Sequence, residues 1–186
     1  MLRNPFARSG DPHSLVVGMT GVKLGECFAQ VGCAHGGRLA AVAKKVGLSG
    51  RAVAIVPDEA AAGRARKGAA EEGVLVEIEV APPTRLPADD AAFDLVVVDD
   101  TDGLLGTMPA DVRAAALRET RRILRPSGRL LVIGRTPRSG LGALLSRDAA
   151  VPSFNAAAVL EAAAYRAVRT LAERDGLVFV EGIKPR

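Results

Sequence analysis

From residue 27 onward, short runs of Val, Leu, Ile and Ala alternate with longer alanine-rich segments in which apolar residues return every three to four positions. A period of 3.6 marks a helix with one buried face, and an unbroken apolar run marks a strand covered on both faces. The alternation therefore predicts βαβ units and a parallel sheet. The runs CFAQVGC (27–33), RAVAIV (51–56), VLVEIEV (74–80), FDLVVVD (93–99) and RLLVIGR (129–135) read as strands. Residues 38–46, 59–70, 110–124 and 156–164 read as helices. Pro109 and Asp111 suit the first turn of the third helix, and Arg-Pro-Ser-Gly at 125–128 stops it and turns into the fifth strand.

The final stretch breaks the alternation. AVRTLAE (167–173) and LVFVEGI (177–183) are strand-like runs separated only by Arg174, Asp175 and Gly176, too short a link for anything but an antiparallel hairpin. The expected fold is α/β, a doubly wound seven-stranded sheet of five parallel strands plus a C-terminal hairpin. The 186 residues suit one domain spanning 1–186, with an N-terminal extension (1–20) and a core (21–186). LVVGMTGVKL, near the start, is readable as a short helix or a loop closing over the sheet edge.

Composition narrows the function classes. Hydrophobic residues make up 48% and charged residues 25%, values of a folding globular chain. Asp, Arg, Glu or Lys interrupts every apolar run before the ~20 residues that cross a bilayer, so no membrane span is expected. The two cysteines, Cys27 and Cys33, sit too far apart on one strand to bridge, and no apolar leader follows the charged opening, so a cytoplasmic location is expected. A net charge of +4 permits an anionic partner. However, Arg113, Arg118, Arg121, Arg122 and Arg125 share a segment with Val112, Leu117, Ile123 and Leu124, which suits a solvated helix face within the arginine-rich stretch from Arg113 to Arg147. With aromatic residues at 3% there is little to stack unpaired bases on, and nucleic acid is disfavoured as a partner.

Ligands of doubly wound sheets bind at the carboxyl ends of the strands, where strand order reverses. The first strand–helix turn, QVGCAHGGR, carries Gly32, Gly36 and Gly37 and faces that position. Asp99 and Asp100 end the fourth strand beside it and are the candidate proton-accepting groups, while His35 has the pKa range for acid–base work or a structural place in the loop. Two Cys and two His without chelating spacing give no metal site, and no G-x-S-x-G elbow for a hydrolase is present.

The turn at 32–36 resembles motif I of the class I S-adenosylmethionine-dependent methyltransferases, of the small type 11-like kind. LPADDAAFDLVVVDD (86–100) and LRETRRILRPSGRLLVIG (117–134) are similar to that family's fourth-strand and fifth-strand segments. The resemblance implies the fold above and S-adenosylmethionine as cofactor, with S-adenosylhomocysteine as product. It places Gly32, Cys33, Ala34, His35 and Gly36 against the methionine part, Val56, Pro57 and Asp58 near the ribose, Pro82 near the adenine, and Asp99 at the crevice. Three positions depart from the family pattern: Ala34 stands at the middle glycine, Val56 at the ribose-binding acid, and Pro82 at the adenine-binding Asp. Asp58 is equally readable as the cap of the second helix. Two readings follow from the sequence: a methyltransferase acting on a small-molecule or protein acceptor, or a non-catalytic interaction or regulatory module on the same fold. A nicotinamide-dependent oxidoreductase is disfavoured by the hairpin and by the absence of a Tyr-x-x-x-Lys pair around Tyr165. Neither the acceptor nor the oligomeric state is encoded in a motif.

Overall fold

The uninterrupted apolar runs form the middle of a seven-stranded sheet of order β3-β2-β1-β4-β5-β7-β6. In chain order the elements are α1 (Ser14–Thr20), β1 (Cys27–Val31), α2 (Gly36–Val46), β2 (Arg51–Val56), α3 (Glu59–Glu72), β3 (Glu77–Val80), β4 (Phe93–Asp99), α4 (Ala110–Ile123), β5 (Leu124–Arg135), α5 (Ala156–Ala162), β6 (Arg166–Arg174) and β7 (Leu177–Ile183). The protein is seen here in a computed structural model that describes residues 13–136 and 154–186. Most of the expected N-terminal extension, and Arg147 at the end of the arginine-rich stretch, lie outside the described residues.

Strands β1 to β5 pair in parallel, and β7 pairs antiparallel with both β5 and β6. Alternate residues of the central strands feed two separate cores. Phe28, Leu95 and Val97 pack with Leu39, Val42 and Val46 of α2, while Ala29, Val96 and Val98 pack with Leu117 and Ile123 of α4. That two-sided burial is why β1 and β4 carry no exposed polar face. The predicted hairpin forms with Asp175 and Gly176 both at positive φ, +55° and +75°, the backbone that a tight Asp-Gly turn requires.

Local differences from the sequence-based expectation have physical causes. Strand β1 ends at Val31, two residues early, because Gly32 turns the chain with φ +79°. The strand expected at 74–80 is reduced to Glu77–Val80 at the sheet edge, where only one neighbour pairs with it. Arg-Pro-Ser-Gly does not precede β5 but lies inside it as a bulge, since Phe93 pairs with Leu124 and Leu95 already with Arg129. The C-terminus closes that bulge: Ser127 N–H donates to the Lys184 carbonyl (3.0 Å), and Lys184 N–H donates to that of Gly128 (2.9 Å).

The arginine face of α4 is more than a solvated surface. Arg122 pairs with Glu119 (2.9 Å) and Asp90 (2.8 Å) and also donates to the carbonyls of Leu86 (2.9 Å) and Ala88 (2.7 Å). It thereby fixes the β3–β4 connection, which borders the crevice described next. Arg125 pairs with Asp94, and the Arg113 guanidinium lies 4.7 Å from the centre of the Phe154 ring. Periodicity located this face, but only the folded chain shows which acids and carbonyls it meets.

Candidate functional site

Strand order reverses between β1 and β4, so the carboxyl ends of these two strands mark the crevice position at which doubly wound sheets bind ligands. The segments that meet there are the turn at 32–35, the end of β2 at 56–58, the start of the β3–β4 connection at 81–83, and the loop after Asp99. The sequence-derived site residues are brought to this one end of the sheet by four different strands. Within these segments, Val56 is fully buried, whereas His35, Pro57, Asp58 and Pro82 are exposed and Ala34 is half-buried.

Asp99 is the centre of the arrangement. One carboxylate oxygen accepts the Ala34 N–H (3.0 Å), and the other accepts the Thr101 hydroxyl (2.6 Å), the Thr101 N–H (3.3 Å) and Arg38 Nη1 (3.4 Å). Asp99 is only 2% exposed, so these bonds satisfy a buried charge and tie the glycine turn to the end of β4. Asp100 has a parallel task in the next loop, where one of its oxygens accepts the N–H groups of Leu105 and Gly106. Both carboxylates offered by the sequence as bases therefore hold backbone donors of their own chain.

The turn is further fastened from both sides. Arg64 of α3 donates through Nε to the Cys33 carbonyl (2.6 Å) and reaches toward Asp102 (3.7 Å). Gln30, buried within β1, donates from its side-chain amide to the Gly32 carbonyl (3.0 Å). Sequence reasoning missed both residues. Gln30 had left a signal, a polar residue inside an otherwise apolar strand, but Arg64 looked like any helix-surface arginine. Burial, with the nearby Asp99 charge second, pushes the Cys33 thiol up to about 11, which keeps it protonated and unreactive at neutral pH.

The glycines of the turn are crowded by the chain itself. A Cβ on Gly32 would lie 2.7 Å from Leu104 and 3.0 Å from the Asp99 carbonyl, on a backbone already at positive φ. Gly36, which the resemblance assigns to the cofactor, begins α2 pressed against the Arg64 carbonyl and Gly68 of α3. His13, just ahead of α1, covers Gly37 and stands edge-on to His35 with ring centres 5.2 Å apart. Asp58 caps α3 by accepting the Ala61 N–H (2.8 Å) on one oxygen. Among the described residues, no group of three or more His, Cys, Asp or Glu could hold a metal ion.

Asp100 gives the site a pH signature. Burial raises its carboxyl from the ordinary 3.8 to about 6, against the opposing pull of its two N–H donors. Between those values the folded chain keeps a proton that the unfolded chain has lost, so stability falls as pH rises through the window, by on the order of 3 kcal/mol. Asn keeps one oxygen for both N–H donors and cannot ionise. Asp100→Asn should therefore gain ~1–3 kcal/mol over wild type at about pH 8 and little at about pH 4. Denaturant unfolding at the two pH values measures this, and an equal difference at both would mean that the carboxyl is not perturbed.

Comparison with known proteins agrees with this geometry. A family model described as a methyltransferase domain matches residues 28–128, more than half of the chain. An uncharacterized 37.1 kDa protein in transposon TN4556 of Streptomyces fradiae is 37% identical over 108 residues, 58% of this chain. The match spans only 30% of that longer relative. Among solved structures, an S-adenosylmethionine-dependent methyltransferase from Aquifex aeolicus superposes with a TM-score of 0.74 at 21% identity, covering 93% of this chain and 89% of its own. A chain from Bacillus halodurans C-125 does so with 0.71 at 15%, covering 95% and 100%. At such identities the structures speak for the shared fold, and the family model speaks for descent. The sheet order, the glycine turn at its reversal point and the matched segment together establish that this chain belongs to the methyltransferase domain family.

Proposed function

We propose that the domain binds S-adenosylmethionine in the crevice between β1 and β4 and transfers its methyl group to a small-molecule or protein acceptor. The observation that carries this reading is the geometry of Asp58. Its helix-capping bond uses one oxygen only, and the second makes no bond among the described residues, at an exposed position just beyond β2. A carboxylate has about four acceptor sites, so capping α3 and accepting from a ribose hydroxyl are compatible tasks. The two readings of Asp58 left open by the sequence therefore need not compete, and the loss of an acid at Val56 is compensated two residues later.

The remaining walls support the same reading. Pro57 and Pro82 are exposed and offer apolar ring faces for an adenine. Asp99 and Gln30 hold the 32–34 backbone in place before any ligand arrives, so no ordering cost falls on binding. Arg64 must yield the Cys33 carbonyl to a cofactor ammonium group. Its side chain is 43% exposed, so it can turn to water, and the charged hydrogen bond it gives up is worth ~1.5–3 kcal/mol that the ammonium group must recover.

Bound there, the cofactor supplies an electrophilic methyl carbon on a sulfonium. The chain's part is alignment and exclusion of water. Asp99 acts as a positioning residue of the turn, because its oxygens are committed to Ala34, Thr101 and Arg38. Where the acceptor needs a proton removed, exposed His35 supplies an imidazole beside the turn.

Calorimetric titration with S-adenosylmethionine and S-adenosylhomocysteine tests the reading. Asp58→Asn keeps a capping oxygen but loses the charge, so it should melt close to wild type yet bind either form ~10- to 100-fold more weakly. Asp58→Ala should lose both affinity and ~1 kcal/mol of stability. Wild-type protein that gives no heat with millimolar ligand would overturn the cofactor reading. A second reading, a non-catalytic module, is favoured by one observation: Arg64 and Asp99 already satisfy the polar groups of the turn, as a site without a ligand would require.

A further inference from the structure

The turn after β1 and the loop after β4 are bridged by an arginine from a third element. Arg64 of α3 places Nε on the Cys33 carbonyl (2.6 Å) and Nη2 3.7 Å from an Asp102 carboxylate oxygen. The stem of this side chain is fixed, because the Arg64 carbonyl and Gly68 press against Gly36 at the start of α2. Its head is open to water. The Arg64 and Asp102 side chains are 43% and 45% exposed, and a pair that open is easily exchanged. The charged groups around it are committed elsewhere: Arg38, 14% exposed, is held by buried Asp99 (3.4 Å), and Asp99 and Asp100 accept N–H groups of their own chain.

We propose that Arg64 and Asp102 recognise the zwitterionic α-amino acid end of the ligand, an inference that rests on the cofactor reading above. Arg64 takes the carboxylate, while Asp102 and the Cys33 carbonyl take the ammonium group. Charge balance selects this class of ligand. A lone anion would be drawn to Arg64 and repelled by Asp102, and a lone cation the reverse. A headgroup with both signs on one carbon replaces one ion pair by two and strands neither partner.

The side chains suit these tasks. A guanidinium offers its donors in a planar fork that matches a carboxylate on two parallel bonds, which an ammonium side chain cannot do. Burial, with the Asp99 charge second, raises the Asp102 carboxyl above its ordinary value, and Arg64 opposes that rise. When the guanidinium turns to a carboxylate, Asp102 therefore gains from a second cation beside it. The Cys33 carbonyl likewise exchanges one charged donor for another, so the exchange leaves no group of the turn without a partner.

Calorimetric titration of the full chain with two nucleosides decides the matter. S-adenosylhomocysteine carries the amino acid end, whereas 5′-methylthioadenosine keeps the nucleoside and the sulfur but ends in a methyl group. Wild type should bind the first at least ~10-fold more tightly. Arg64→Met and Asp102→Asn should each weaken S-adenosylhomocysteine by ~10- to 100-fold and 5′-methylthioadenosine by less than about 3-fold. Arg64→Lys keeps the charge without the fork and should recover part of the preference. Equal losses for the two ligands in both variants would mean that Arg64 and Asp102 only brace the turn, and would overturn the proposal. Wild type that binds both nucleosides equally would overturn it too, while leaving the cofactor site in place. Wild type that binds neither would overturn the cofactor reading and this inference together.

Discussion

Gly36→Ala is expected to lower stability by ~3 kcal/mol or more and the melting temperature by about 10 °C, although alanine is the better helix former. Gly36 opens α2, and a methyl group there would sit 2.0 Å from the Arg64 carbonyl oxygen and 3.1 Å from the Gly68 nitrogen. Both are backbone atoms of α3, so no side chain can rotate away. Relief requires the two helices to separate, which exposes Leu39 and Ala65 and drags the turn at 32–35 with them. Gly63→Ala is the matched control. That glycine lies in the same α3 helix with nothing within 4 Å of an added Cβ, and alanine there should stabilise by ~0.5–1 kcal/mol. Thermal unfolding of the two variants side by side checks the argument. Equal effects would mean that helix propensity governs both positions and that the helices are not in close backbone contact.

Asp99→Ala should cost ~3–5 kcal/mol in denaturant unfolding, the magnitude of stranding buried partners of a lost charge. The Ala34 N–H, the Thr101 N–H and hydroxyl, and Arg38 all lose their acceptor at once. Asp99→Asn keeps one oxygen and should fall between wild type and the alanine variant, since it can serve either Ala34 or the Thr101 side but not both. Hydrogen exchange separates a local role from a global one. The Ala34 amide should lose protection in Asp99→Ala well before the Leu105 amide, which Asp100 holds independently. Unfolding within ~1 kcal/mol of wild type would show that the carboxylate does not anchor the turn.

Both predictions concern the same few ångströms, and both bear on ligand binding through preorganisation. A turn held by Asp99 and Gln30, and seated on α3 through Gly36, presents its groups in one geometry. Loosening it should weaken cofactor affinity even where no atom touches the ligand. Under the proposed reading, the Asp58 and Asp100 variants separate direct contact from support: Asp58 caps α3 just beyond β2, and Asp100 braces the loop after β4.

Much of this was legible along the chain. The apolar runs fixed which segments are strands, and the three-residue link at 174–176 dictated a hairpin, because both are properties of neighbouring residues. The glycine turn and the pair Asp99 and Asp100 were also visible as candidates. Their tasks were not, because a carboxylate that caps a loop and one that takes a proton look alike in sequence. Arg64 and Arg122 were hidden for the same reason: each lies on a helix face rich in charge, and the backbone carbonyls they hold are distant in sequence, Cys33 by 31 residues and Leu86 by 36.

The sequence by itself determined the order of strands, the two-faced burial of the central ones and the hairpin turn at 174–176, since period, propensity and chain reach are local quantities. The tertiary structure alone decided that Gly36 serves helix packing, that Asp58 caps α3 through one oxygen, and that Asp99 spends its charge on the turn. Those outcomes depend on which distant backbone arrives beside each side chain, and that is set by how the sheet is wound.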